Sequence, residues 1–95
     1  MSYQVLLHPD VDAFLQSLDE KSERICRENL GYLAEDPYPG SGQGDKEGLV
    51  IDGEDRYRQH ISHRYTAFYD IYEEKKQVRV TEVLPIDQAH KRYGY

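Results

Sequence analysis

Residues 37 to 48, PYPGSGQGDKEG, hold four glycines and two prolines and are the only breaker-rich stretch in the chain. Ahead of them apolar residues recur at helical spacing, and behind them apolar and polar residues alternate. Two amphipathic periods, 3.6 in one stretch and 2 in another, ask for a helical layer laid against a sheet. In 95 residues too little lies on either side of the break for two cores, so the segment is a loop inside one domain, 1–95.

The first half opens with a short strand, Tyr3 to Leu7, ending at His8-Pro9. Asp10 is placed to cap a helix whose stripe is Val11, Phe14, Leu15 and Leu18, at i, i+3, i+4 and i+7. A second helix starts after Asp19, with Glu20 and Glu23 in its first turn. It runs through Ile25, Cys26, Leu30, Leu33 and Ala34 until Pro37 stops it. Two amphipathic helices with almost no loop between them form an antiparallel hairpin. After the breakers come four strand-like runs, LVI (49–51), RYRQHIS (56–62), RYTAFYDIY (64–72) and QVRVTEVL (77–84). Pro85 ends the last of them, and IDQAHKRYGY forms one or two helical turns or a tail. The expected fold class is α+β, with an N-terminal strand and the helical hairpin on one face of a mostly antiparallel sheet of four to five strands.

Charge is unevenly divided. Residues 1 to 55 carry 4 Lys+Arg against 13 Asp+Glu, a balance of −9, whereas residues 56 to 95 carry 8 against 5, a balance of +3. That asymmetry points to a polyanion or an acidic protein as partner, or to two solvated faces. One cysteine, Cys26, closes no bridge within the chain, and its place on a helical stripe makes it a core thiol in a reducing compartment. With no signal-like N-terminus and no apolar run of membrane-spanning length, the expected location is the cytoplasm, with no membrane partner. His8, His60, His63 and His90 show no metal-ligand spacing with Cys26. No zinc, P-loop or dinucleotide motif occurs, so neither metal nor small-molecule cofactor is expected.

Strand geometry sorts the arginine- and tyrosine-rich stretch 56–72. Tyr57, Gln59 and Ile61 project to one face, and Arg56, Arg58, His60 and Ser62 to the other. If the helices cover Tyr57 and Ile61, Arg58 and His60 stand roughly 6.6 Å apart on the face left bare, a spacing that suits one phosphate and a neighbouring hydroxyl. His63 falls on the opposite parity and reads as a turn residue. The following strand carries aromatic residues on both faces, which places it centrally, with Tyr57, Tyr69 and Tyr72 as packing residues.

The order strand, helix, helix, sheet, with Tyr57-Arg58, the run Tyr65 to Tyr69, the Val78 to Val83 strand and a short basic tail, resembles the RelE/ParE superfamily of bacterial and archaeal toxins. The resemblance implies the toxin of a type II toxin–antitoxin pair and, in its RelE branch, a metal-independent endoribonuclease, an mRNA interferase cutting ribosome-bound messenger RNA. In such an enzyme the RNA 2′-hydroxyl attacks the adjacent phosphate. Carried over residue by residue, it gives Arg58 to the phosphate and His60 to the general base, with His90 or Tyr93 as general acid. Arg56, Arg64, Lys91 and Arg92 become RNA contacts. Thr66 and Ile86 stand where many relatives carry arginine. Two alternatives therefore stay open: a RelE-like module that binds antitoxin or RNA with weak or no catalysis, and a ParE-like gyrase inhibitor. Each version implies a cognate antitoxin that wraps the domain.

Overall fold

A computed structural model describes residues 2–93, with Arg92 and Tyr93 described by backbone alone. The elements run β1 (Gln4–Leu7), α1 (Pro9–Gln16), α2 (Glu20–Glu35), β2 (Asp45–Ile51), β3 (Glu54–Ile61), β4 (Tyr65–Tyr72), a 3-10 turn (Glu73–Lys75), β5 (Gln77–Pro85) and α3 (Ile86–Tyr93). The five strands form one sheet in the order β1-β5-β4-β3-β2. All pairings are antiparallel except β1 with β5, which is parallel. The helical hairpin between β1 and β2 provides the crossover that a parallel edge strand needs. β4 is the middle strand, as its two aromatic faces require.

Helix α1 begins two residues earlier than a cap at Asp10 would place it. His8 is the N-cap, its Nδ1 accepting from the Asp10 N–H at 3.0 Å, because Pro9 occupies the first helical position, where a missing N–H costs nothing. Asp19 caps α2 as expected, accepting from the Ser22 N–H at 3.1 Å, and the helix ends at Glu35 ahead of Pro37. The two stripes bury Val11 and Leu15 with Cys26, Leu30 and Leu33 against Ile61, Ala67, Tyr69, Val78, Val80 and Val83 of the sheet. Cys26 is fully buried, and burial pushes its thiol up to about 11, so it is inert packing. The spacing Val78, Val80, Val83 breaks strict alternation, and the sheet shows why. Tyr69 pairs with Val80 while Phe68 pairs with Glu82, so Thr81 is an extra residue that returns Val83 to the core side.

The breaker-rich loop is shorter than its composition suggests, because β2 starts at Asp45 rather than Leu49. The added residues are charged or glycine, which suits an edge strand and disguises it in sequence. What remains of the loop is anchored. Lys46, buried, donates to the carbonyls of Asp36 and Ser41, both at 2.6 Å. Gly44 has φ +101°, and a Cβ there would sit 2.8 Å from the Gln59 side-chain nitrogen, so no other residue fits that approach. Tyr69 donates its hydroxyl to the Pro37 carbonyl at 2.7 Å. From Tyr69 a file of rings leads outward: Tyr57 stacked at 5.6 Å, then Tyr38 and Tyr3 edge-on at 6.2 and 6.5 Å. At its end Glu73 accepts from the Tyr38 and Tyr3 hydroxyls and pairs with Lys76.

Ile61, fully buried at the end of β3, has no room for local collapse, so Ile61→Ala should lower unfolding free energy by about 2–5 kcal/mol in urea titration. Lys76 first, then the two tyrosine hydroxyls, draw the Glu73 carboxyl down to about 2. A depressed folded-state pKa stabilises above the ordinary glutamate range and loses its effect as pH falls through the folded value. The melting-temperature gap between the parent and Glu73→Gln is therefore expected to be full at neutral pH and to close as pH approaches about 2.

Candidate functional site

Parity on β3 is fixed from the helix side. Gln59 is fully buried and donates Nε2 to the Asn29 carbonyl of α2 at 2.9 Å, Ile61 enters the core, and Tyr57 stacks on Tyr69. Arg58 and His60 consequently lie on the sheet face opposite α1 and α2.

That face is not bare, which corrects the sequence expectation. Leu49 and Phe68 form a second apolar cluster with Ala89 of α3, flanked by Ile51 and Leu84. α3 thus covers part of the face, and among the described residues it is the small side chain of Ala89 that seats it, a weak signal in sequence. Nor does Arg58 stand open to solvent; it is 9% exposed.

What engages Arg58 is Glu47, directly opposite it in the β2–β3 register. Arg58 Nη2 donates to Glu47 Oε2 at 2.7 Å, and the other carboxylate oxygen lies 3.3 Å from His60 Nε2. His60 Nδ1 is 3.4 Å from the Thr66 hydroxyl, and Thr66 is itself opposite His60 on β4. Arg58 first, by its hydrogen bond, and His60 more weakly hold the Glu47 carboxyl below the usual glutamate range. The result is a carboxylate, an imidazole and a guanidinium within direct hydrogen-bonding reach, with a hydroxyl orienting the ring. Such a set can move a proton at the imidazole or carboxylate and stabilise an anion with the guanidinium, without a metal.

Glu47 and Thr66 were not among the sequence candidates for this chemistry. Glu47 sat in a segment read as loop, and only the extension of β2 by four residues brings it opposite Arg58. Thr66 had been noted as a missing arginine; here it is buried and supports His60.

The other candidates are spread more widely. Arg56 lies on the same face, half-buried, 3.4 Å from both Glu54 and Asp70. Burial raises the Asp70 carboxyl pKa, with Arg56 acting in the opposite direction. Arg64 is exposed in the β3–β4 turn and shares a shallow cavity with Asp19 and Ser22 at the start of α2, away from Glu47. Its carbonyl accepts from the Ile86 N–H at 2.8 Å, tying that turn to the start of α3. His90 and Lys91 are exposed on α3. Because Ala89 seats α3 on Phe68, which is opposite Arg58 in register, they belong to the same side of the sheet as the Glu47 cluster. The side chains of Arg92 and Tyr93 lie outside the described residues. His63 is a turn residue with φ +55°, as expected.

No family model matches the sequence, and no curated protein matches it significantly. Solved structures do. The RelE–RelB complex of Pyrococcus horikoshii matches with a TM-score of 0.74 and 28% identity, over 90% of this chain and 96% of that one. The Mycobacterium tuberculosis toxin–antitoxin complex RelBE2 matches with a TM-score of 0.72 and 18% identity, over 87% and 96%. Isolated RelE toxin of E. coli gives 0.60 and 18%, over 96% and 98%. These matches cover most of the chain, and the chain has the fold of the RelE toxins.

Proposed function

We propose that this chain is the toxin of a type II toxin–antitoxin pair and a metal-independent endoribonuclease acting on ribosome-bound messenger RNA in the cytoplasm. The observation that carries the reading is the Glu47–Arg58–His60 cluster on the sheet face away from the helical hairpin. The fold likeness to RelE, in two instances within RelE–RelB or RelBE2 complexes, supports a toxin with an antitoxin partner.

In this reading His60, held between Glu47 and Thr66, takes the proton from the 2′-hydroxyl. The oxygen attacks the adjacent phosphorus, and Arg58 exchanges its bond to Glu47 for one to the phosphoryl oxygens as charge builds there. The 5′-oxygen leaves with a proton from His90 or Tyr93, giving a 2′,3′-cyclic phosphate and a 5′-hydroxyl. Lys91 and Arg92 on α3, with Arg56 on β3, steer the RNA; Arg64 meets a more distant part of it. Glu47 has two opposed effects. Its charge competes with RNA for Arg58, and its carboxylate orients His60 and stabilises the imidazolium that forms.

One observation favours the second reading, a RelE-like module that binds antitoxin or RNA without cutting. Arg56 and Arg58 are both engaged by carboxylates of the same sheet, and Thr66 and Ile86 stand where the resemblance implies arginine in many relatives. The gyrase-inhibitor reading has no feature of this face in its favour and ranks third.

Expression without a partner should arrest growth, and Arg58→Ala combined with His60→Ala should abolish the arrest in a chain that keeps its circular dichroism spectrum. Arrest that survives both changes removes this site. Glu47→Gln should tighten binding to a short single-stranded RNA by about threefold to tenfold, as one competing charge is lost. His60→Ala should slow cleavage by about 10²–10⁴-fold. Tighter binding in Glu47→Gln with no cleavage by the parent selects the second reading.

A further inference from the structure

The tyrosine file that leads from the core to the surface differs along its length in where a phenol proton can go. Tyr69, at the inner end, is 1% exposed and donates its hydroxyl to the Pro37 carbonyl at 2.7 Å, a group too weakly basic to take the proton. Tyr57 stacks on it at 5.6 Å, and Tyr38 follows edge-on at 6.2 Å. At the outer end Tyr38 and Tyr3 both donate to one carboxylate oxygen, Glu73 Oε1, at 2.6 and 2.7 Å. Among the described residues these are the two tyrosines whose hydroxyls meet a carboxylate.

Sharing one acceptor atom holds the two phenol oxygens no farther apart than those two bonds laid end to end. The rings meet at 74° with centroids 6.5 Å apart. Each ring's ortho carbons flank its own hydroxyl, so they are drawn toward the same point. Both phenols stay protonated at rest, because the hydrogen bond to Glu73, the largest of several causes, raises them above the usual tyrosine range. Lys76, over the Tyr3 ring at 5.0 Å, opposes removal of an electron that leaves the proton behind. Electron loss from this pair is therefore coupled to proton transfer, and Glu73 is the base in place for it. Lys76 and the two hydroxyls draw that carboxyl down to about 2, so it is ionised at neutral pH. Tyr3 precedes β1 and Tyr38 follows α2, so a bond between them closes a ring around the whole helical hairpin.

We propose that Tyr3 and Tyr38 are a site of oxidative modification, joined through their ortho carbons as a dityrosine when a peroxidase-type one-electron oxidant acts on the chain. Each phenol gives one electron to the oxidant and its hydroxyl proton to Glu73, which is half-exposed and passes it to solvent. The two phenoxyl radicals then pair to form the carbon–carbon bond. Each ortho hydrogen leaves as a proton and a proton returns to each oxygen, so the product is the parent less two hydrogens. Hydrogen peroxide, the peroxidase's own oxidant, takes up the two electrons and two protons and becomes two waters. A radical that starts on Tyr69 or Tyr57 moves outward along the file, because the base stands at the outer pair. The new bond staples the entry of β1 to the loop after α2 and removes freedom from the unfolded chain. This modification rests on the ring geometry and not on the toxin reading.

The test treats the full chain, kept dilute, with a peroxidase and hydrogen peroxide under conditions that couple N-acetyltyrosine. Expected are blue dityrosine fluorescence, a monomer lighter by two hydrogens, and a cross-linked peptide that maps to residues 3 and 38. Tyr3→Phe and Tyr38→Phe should each remove that species. Glu73→Gln keeps a hydrogen-bond acceptor between the rings but supplies no base, and it should slow cross-linking at least ~tenfold at neutral pH. The joined chain should unfold at a higher urea midpoint than the parent. The proposal is overturned if no cross-link forms, if coupling occurs only between molecules, or if the bond maps to another pair. Survival of the lighter monomer in either tyrosine variant, or an unchanged rate in Glu73→Gln, overturns it as well. An unchanged urea midpoint overturns the stapling effect.

Discussion

The side-chain amide of Gln59 reaches down to the Asn29 carbonyl and, with Ile61 sunk in the core, pins β3 to the helical layer. A strand alternates, so pinning its odd residues from below leaves the even ones no choice of face. Arg58 and His60 are delivered to the opposite side by the same contacts that close the core. A one-residue slip would exchange buried Ile61 for His60, and the hydrophobic cost of that exchange holds the polar cluster in place.

The same logic runs through β2. Lys46 faces the helical side and holds the loop carbonyls of Asp36 and Ser41, while Glu47, the next residue, faces Arg58 and His60. One dipeptide on an edge strand thus serves the loop below and the cluster above. The carboxylate sets the character of that cluster. It neutralises a guanidinium that is nearly buried, so the resting fold tolerates the charge, and it must release that guanidinium if a phosphate is to bind.

Much of the fold was legible because its layers have different periods. The stripes Val11, Leu15 and Cys26, Leu30, Leu33 can only be helical, and Tyr57, Gln59, Ile61 can only share a face. Other features were hidden for physical reasons. β2 is an edge strand whose charges look like loop; the parallel pairing of β1 with β5 is a long-range choice that no local pattern records; and Ala89, which seats α3 among the described residues, is too small to signal a contact. Glu47 was missed through the first of these, since a residue placed in a loop has no register. The face on which Arg58 and His60 lie was read correctly because strand parity is a short-range property. Arg64 lies between the strands, where parity gives no face, and the turn carries it toward the start of α2.

The account's central claim is that an imidazole and a guanidinium gathered around Glu47 cut RNA without a metal. The most direct measurement is end-mapping of a message on translating ribosomes after adding the purified chain. The account predicts new breaks in the decoding site bearing 2′,3′-cyclic phosphate ends, and none with the His60→Ala chain. An intact message at equimolar chain and ribosome, or identical breaks with His60→Ala, would contradict it.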